Sequence, residues 1–362
     1  MGTDHLLTAA KFHMLSDAQG GFVSYMFVFA ALLLLVMYFV ANKFVQKRLG
    51  SGTKEALLYS CLRSFISALL FFLVYVVTVR RLPEINSFSL VLSIILASLV
   101  CAYTLLGFRI MHFGSLSVYT VFLMLGGMIV PYLYGVIWLD EEIRAFRIAG
   151  IVLMIISLFF PLIGNKDSAG GPSQSTAKKR VIFGVICFAV FMLNGLVSVV
   201  SKTHAIKMSD QRPVLITFVM LCALSNGVLS LASLLVLKAV SSLKKAKKTV
   251  DSEEGNGEGA LLEAGAEPGG EGAEPPKKRV FLSIIKAVLP AIALAAAFDG
   301  ASFFFQQLGA SQLPASVMYP IQTGGSIVLT ALAGFLIFKE KQSKIALIGL
   351  AITFASTFLF LF

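Results

Sequence analysis

Charged and metal-binding side chains are scarce in this chain. Only 14% of its 362 residues are charged, and it contains four histidines and four cysteines. The cysteines lie far apart inside apolar runs, without a CxxC pair or a mixed Cys/His cluster. Free, buried thiols are therefore expected instead of a disulfide framework or a zinc site. The sequence predicts neither a metal nor a cofactor.

Catalytic motifs are missing as well. The chain has no GxxxxGK[ST], HExxH or GxSxG segment, and so none of the short motifs of ATP hydrolysis, zinc proteolysis or serine hydrolysis. We interpret the chain as one that is not an enzyme.

Apolar residues make up most of the sequence. Hydrophobic residues account for 57% of the chain, and the mean hydropathy is +0.86. Long, nearly uncharged runs predict transmembrane helices, and their lack of polar–apolar alternation argues against a β-barrel. The net charge of +11 comes from basic residues between these runs, which is typical of membrane proteins and not of nucleic-acid binding. We expect an all-α integral membrane protein in a lipid bilayer.

The apolar runs predict ten transmembrane helices in two sets of five. Residues 1–21 form an N-terminal tail, 22–163 the first set, 164–180 a linker and 181–362 the second set. Within the second set, residues 239–280 are rich in Lys, Gly, Glu and Pro, and this composition predicts a disordered charged loop.

A segment of the first set recurs in the second. Residues 115–159 align without a gap onto 314–358, at a constant offset of 199. Because each set has an odd number of spans, the two copies would cross the membrane in opposite senses, as inverted repeats do. The matched pairs are Ser117/Ser316, Val118/Val317, Gly126/Gly325, Leu133/Leu332, Gly135/Gly334, Glu141/Glu340, Gly150/Gly349 and Ser157/Ser356.

This order of features resembles the drug/metabolite transporter superfamily, in its ten-helix EamA-type branch. The resemblance covers nearly the whole chain. It depends on the helix ends at Lys43 and Lys202, on Arg63 early in span two, and on the two duplicated blocks. It implies a secondary carrier of small metabolites with a central cavity between the halves. The long insert before span eight departs from the family pattern.

Two charged residues inside the spans are the leading site candidates, because an intramembrane charge is costly unless it meets a cavity or a partner. Asp299 lies well inside span eight, where its carboxylate could hold a cationic group or exchange a proton. Arg63 lies in span two and could bind an anionic group, pair with Asp299, or reach the headgroups. Lys43 and Lys202 could meet substrate at the ends of the cavity, or could cap their helices.

Polar residues in other spans complete the predicted cavity lining. For each of them an interhelical hydrogen bond is the alternative role. They are Tyr319, Gln322, Thr323, Gln306, Tyr103, Tyr119 and Asn194.

Glu141 and Glu340 attract attention as a matched pair of acids. Inversion would place them at opposite faces of the membrane, so they are not expected to form one site. Each precedes the next helix along the chain, where a carboxylate complements the positive helix N-terminus.

The favoured function is transport of small organic metabolites or drugs by alternating access, with protons as a candidate coupling ion. A nucleotide-sugar or sugar-phosphate exchanger, a polytopic membrane enzyme and a scaffold are the alternatives, and a homodimer is left open. The expected location is a bacterial cytoplasmic membrane.

The loops after odd-numbered spans hold most of the Lys and Arg residues. The positive-inside rule then places both termini outside. The family resemblance implies both termini inside.

Overall fold

The computed structural model describes residues 3–49, 52–110, 116–164, 177–208, 212–254, 277–339 and 343–361. The described residues contain ten α-helices and no strand. The helices are α1 Thr3–Leu49, α2 Thr53–Val79, α3 Ser87–Ile110, α4 Leu116–Trp138, α5 Ala145–Gly164, α6 Ala177–Lys207, α7 Arg212–Glu254, α8 Lys277–Gln312, α9 Ala315–Phe338 and α10 Lys344–Leu359.

Eight of these helices are long and apolar enough to cross a membrane, and α5 and α10 are shorter apolar helices. Large hydrophobic side chains cover much of the molecular surface; Val77 is 74% exposed and Leu336 is 70% exposed. Apolar surface on this scale is suited to contact with lipid and not with water. Helix length and surface together indicate a multi-pass membrane protein.

The helices of the two halves pack against each other across the molecule. The first helix of each half packs on the third of the other, as α1 on α8 and α6 on α3. The second, fourth and fifth helices pack on their own counterparts, as α2 on α7, α4 on α9 and α5 on α10. One core cluster joins α4, α5 and the residue that caps the C-terminus of α10 through Leu125, Met128, Met154, Leu158 and Phe360.

The offset of 199 residues recurs in the helix boundaries. The starts of α4 and α9 are 199 residues apart, and so are the starts of α5 and α10. Asp140 and Lys339, at equivalent positions after α4 and α9, both adopt the left-handed conformation, with φ of 51° and 52°. Few non-glycine residues adopt this conformation, so both copies leave their fourth helix by the same turn.

Two helices extend into the stretch for which composition predicts disorder. α7 continues to Glu254 and α8 begins at Lys277, so 239–254 and 277–280 are helical. The polar extension of α7 contains four Lys, two Ala and two Glu, which are strong helix formers and continue a helix beyond its apolar part. Residues 255–276, in the middle of the predicted loop, lie outside the described residues.

Candidate functional site

A cavity of about 430 Å³ lies between the two halves. Its lining comes from α1, α2, α3 and α4 of the first half and from α6, α7 and α8 of the second. Leu35, Leu96, Val100, Val219 and Phe303 contribute apolar walls. The polar and charged lining residues are Tyr38, Arg63, Ser64, Ser67, Tyr103, Ser198, Ser201, Asn226, Asp299, Ser302 and Gln306.

An ion pair between Arg63 and Asp299 is the main electrostatic feature of this cavity. Nη1 of Arg63 donates to Oδ2 of Asp299, and the two side chains are 13% and 33% exposed. The guanidinium carbon lies 5.4 Å from the ring centroid of Tyr38, within cation–π range. Pairing was one of the roles that the sequence left open for Arg63, and the geometry shows that the two side chains meet.

Close packing of α2 and α8 brings these two charges together. A Cβ atom at Gly300, next to Asp299, would collide with the Phe71 ring and with the Ser67 hydroxyl of α2. Glycine therefore lets the backbone of α8 approach α2 at the level of the ion pair.

Neighbouring hydrogen bonds fix the helices around the pair. Asn226 of α7 donates from Nδ2 to the Ser64 hydroxyl of α2 at 2.8 Å. The Ser302 hydroxyl of α8 donates to the Ala31 carbonyl of α1 at 2.7 Å. Four helices are thereby tied together within one turn of Arg63 and Asp299.

A second polar layer lies at the C-terminal ends of α6 and α8. Gln307 is fully buried, and its Nε2 donates to the Ser201 hydroxyl at 2.8 Å. The Tyr319 hydroxyl donates to the Ser198 carbonyl at 2.7 Å. Ser198 and Ser201 line the cavity, so this layer forms its floor on the side of the α8–α9 turn.

Side chains from elsewhere in the chain hold the α8–α9 turn beyond this floor. Nζ of Lys202 donates to the carbonyls of Ala310, at 2.7 Å, and of Leu313. The two carboxylate oxygens of Glu141 accept from the backbone N–H groups of Ala315, at 2.6 Å, and Ser316, at 2.7 Å. The turn is therefore bound on its carbonyl side by a cation and on its N–H side by an anion.

These contacts correct one expectation from the sequence and agree with another. Glu141 complements the N-terminus of α9 and not that of α5, the next helix along the chain. Lys202 is only 3% exposed and caps carbonyl groups, which is one of the two roles that the sequence offered for it. Glu340, the counterpart of Glu141, lies outside the described residues.

Four of the residues predicted to line the cavity do so, namely Arg63, Tyr103, Asp299 and Gln306. Others pack behind it: the Tyr119 hydroxyl donates to the Tyr103 carbonyl at 3.4 Å. Asn194 donates to the Leu123 carbonyl at 2.7 Å, the interhelical role that the sequence offered as its alternative.

The remaining predicted residues lie apart from the described lining. Oε1 of Gln322 is buried and has no hydrogen-bond partner within the described structure. The Thr323 carbonyl accepts from the Ser326 hydroxyl at 2.8 Å inside α9. Nζ of Lys43 lies 4.3 Å from the centroid of the Phe338 ring, at the end of α9.

Several polar residues that line the cavity were not predicted from the sequence. Ser64 and Ser67 share a helix face with Arg63, and Ser198 and Ser201 are one turn apart on α6. Helical spacing from the intramembrane arginine would have found Ser67, at i+4. Serine is so common in membrane helices that its presence alone gave no signal.

Comparison with known proteins identifies a solved structure with a similar fold and assigns no function. No family model matches the chain, and no curated protein matches it by sequence. A solved structure, described only as the crystal structure of a protein, superposes with a TM-score of 0.61 at 15% identity, over 93% of this chain and 96% of that chain. The same overall fold therefore occurs in a structure determined by experiment.

Side chains that commonly bind metal ions do not cluster in the described part of the chain. No group of three or more His, Cys, Asp and Glu side chains in the described ranges is arranged to hold a metal ion. What the geometry provides is one cationic group, one anionic group, several hydroxyls and an apolar wall in a single cavity.

Proposed function

We propose that this chain is a secondary transporter of small organic solutes that works by alternating access. It would have ten membrane spans in two inverted five-helix repeats and would lie in a bacterial cytoplasmic membrane. The observation that carries the proposal is the cavity between the halves, with a partly exposed ion pair among apolar walls. Intramembrane charges that face a cavity are typical of solute pathways.

The reciprocal packing of the helices supports the inverted repeat. Exchanging the two halves turns the α1–α8 pair into α6–α3 and the α2–α8 pair into α7–α3, and all four pairs are in contact. A Cβ atom at Gly150 would press on the ring of Phe360, directly after α10, and one at Gly349 on Phe160 of α5. Each fifth helix thus receives the end of the other, as a twofold axis in the membrane plane requires.

Different helix contacts at the two ends of the described structure support alternating access. At one end α6 packs on α8, and Lys202 and Glu141 hold the α8–α9 turn. The corresponding pair at the other end, α1 and α3, is not among the closely packed pairs of the described helices. Rocking of one half against the other would exchange the contacts of the two ends.

The charge of the cavity favours this reading over a nucleotide-sugar or sugar-phosphate exchanger. Phosphate groups are usually bound by several basic side chains. Among the described lining residues Arg63 is the only basic one, and Asp299 balances it. A membrane enzyme or a scaffold finds no specific support in the described site.

A ligand screen followed by a flux assay tests the proposal. The purified protein is heated in detergent with a panel of metabolites, because a compound that binds the folded state raises the melting midpoint. Each hit is then assayed for counterflow in proteoliposomes, with and without an imposed pH gradient to test proton coupling. Binding without flux for every hit would refute transport.

Asp299→Asn should abolish flux or uncouple it from protons without preventing membrane insertion.

A further inference from the structure

Two lysines of α1 lie against a single aromatic ring at the end of α9. Nζ of Lys43 is 4.3 Å and Nζ of Lys47 is 5.1 Å from the centroid of the Phe338 ring. Lys339 follows that ring directly and is exposed. Neither Lys47 nor Lys339 forms an ion pair with an acidic side chain in the described part of the chain. An anion between these ammonium groups would replace their mutual repulsion by attraction.

Exposed apolar side chains lie beside this basic cluster, which consists of Lys43, Lys47, Phe338 and Lys339. The ring of Phe44 packs on that of Phe338 with their centroids 5.4 Å apart, and Phe44 is itself exposed. The preceding residues of α9 are also exposed, namely Phe335, Leu336 and Ile337. Such a surface is suited to an acyl chain and not to water. A ligand that satisfies both features has an anionic head and an apolar tail.

The length of α9 places the basic cluster at the level of the lipid headgroups. The 24 residues of this helix span about 36 Å at 1.5 Å per residue. The hydrocarbon core of a bilayer is only about 30 Å thick, and the headgroups lie directly outside it. The last turn of α9 therefore reaches the layer that contains the lipid phosphates, and Lys43 and Lys47 meet Phe338 there.

The other half of the molecule does not repeat this cluster. A Cβ atom at Gly325 would press on Leu32 of α1. One at its counterpart Gly126 would press on Phe191 of α6, so α1 and α6 are related by an offset of 159. The offsets of 159 and 199 give Lys202, Ile206, Leu139 and Asp140 as the equivalents of Lys43, Lys47, Phe338 and Lys339. Lys202 is buried on backbone carbonyls, and the other three equivalents carry no positive charge. The duplicated framework therefore does not require the basic cluster.

We propose that the basic cluster binds one anionic phospholipid of the surrounding bilayer. Lys43 and Lys47 donate to its phosphate, Lys339 adds to the positive potential, and an acyl chain lies along the exposed end of α9. Lysine binds phosphate as a point charge on a flexible stem. A basic residue at an anionic membrane surface raises affinity about fivefold. This inference does not depend on the transport function.

Native mass spectrometry of the full chain in an uncharged detergent tests the proposal, because it counts bound lipids one at a time. Phosphatidylglycerol is compared with phosphatidylcholine of the same acyl chains, which has the phosphate but no net charge. Glycerol 3-phosphate supplies the anionic head without the tail. We expect phosphatidylglycerol to bind at its tightest site at least about tenfold more strongly than phosphatidylcholine. Glycerol 3-phosphate should not displace it.

Variants locate the lipid. Lys43→Gln combined with Lys47→Gln should weaken the binding of phosphatidylglycerol about 25-fold and leave that of phosphatidylcholine unchanged. Lys207→Gln is the matched control, because Nζ of Lys207 also lies on a phenylalanine ring, 4.6 Å from the centroid of Phe88, but without a second lysine on that ring. The control should leave the affinity of the tightest site unchanged. Should the double variant fail to fold, Lys47→Glu, at an exposed position, replaces it and should also weaken the binding of phosphatidylglycerol.

Several results would overturn the inference. Equal affinity for the two phospholipids would show that charge does not select the lipid. Unchanged affinity in the double variant, or an equal loss in Lys207→Gln, would show that the lipid binds elsewhere. Displacement by glycerol 3-phosphate would assign the basic cluster to a soluble phosphate. Because lipid binding is measured without flux, its failure is distinct from failure of the transport proposal.

Discussion

Removing the Glu141 carboxylate should destabilise the protein much more than removing its neighbour. Glu141 binds two backbone N–H groups at the start of α9, at 2.6 and 2.7 Å. Glu142 is 78% exposed and contacts only Arg144 among the described contacts of its side chain. A hydrogen bond to a charged group contributes about 1.5–3 kcal/mol, and an N-cap about 0.5–2 kcal/mol. Since water can replace part of the loss, we expect Glu141→Ala to cost about 2–3 kcal/mol and Glu142→Ala less than about 0.5 kcal/mol.

The single tryptophan of the chain provides the assay. Trp138 ends α4, three residues before Glu141, and is 70% exposed. The protein is titrated with SDS in mixed micelles. The fluorescence of Trp138 reports release of the end of α4, and far-UV circular dichroism reports global unfolding. Glu141→Gln keeps an acceptor but loses the charge that complements the N-terminus of α9. We expect an intermediate cost for it, with about 0.3–1 kcal/mol from the lost charge.

A double-mutant cycle with Gly135 makes the test specific. A Cβ atom at Gly135 would lie 2.5 Å from Oε2 of Glu141, so Gly135→Ala should displace the carboxylate from α9. The same change should cost less when position 141 is already alanine, because the clash and the capping bonds are then both gone. Equal unfolding free energies for Glu141→Ala and Glu142→Ala, or strict additivity in the cycle, would refute this account of the α8–α9 turn.

Three further predictions concern the carbonyl side of the α8–α9 turn, the α4–α6 contact and the orientation. Lys202→Met should lower the melting midpoint more than Lys43→Met, because Lys202 is buried against backbone carbonyls. Gly126→Ala should prevent folding or flux, since a Cβ atom there would overlap the Phe191 carbonyl; Gly184→Ala, with nothing within 4 Å, should be neutral in both assays. A reporter active only outside the cell when fused to the C-terminus would exclude the orientation implied by the family resemblance, and cytoplasmic activity would exclude the one implied by loop charge.

Helices could be predicted from the sequence because their signals are local. The apolar run at 115–138 becomes α4, Leu116–Trp138, and the run at 313–338 becomes α9, Ala315–Phe338. The charged composition from residue 239 predicted a disordered loop, whereas α7 continues to Glu254. A hydropathy criterion detects the part of a helix that is apolar, and a polar segment of good helix formers can continue it without that signal.

Partners across the molecule could not be predicted in the same way. Glu141 is followed at once by α5, and local reasoning assigned it to that helix, but its partner is α9, more than 170 residues away in the chain. The Arg63–Asp299 pair was only one of several possibilities, because it depends on how closely α2 approaches α8. Gly300 permits that approach, and its effect is visible only once the two helices are placed together.

The elements that repeat in both halves form the framework of the cavity. The residues that do not repeat supply its charges. The helix starts, the left-handed turns at Asp140 and Lys339 and the reciprocal packing repeat in both halves. Arg63 and Asp299 do not repeat. A cavity related by twofold symmetry would present two equivalent polar ends, and a small solute would bind in either of two orientations. In the proposed transporter, charges on one side would remove this degeneracy, and a solute would enter the binding site in one orientation while the two halves exchange roles around it.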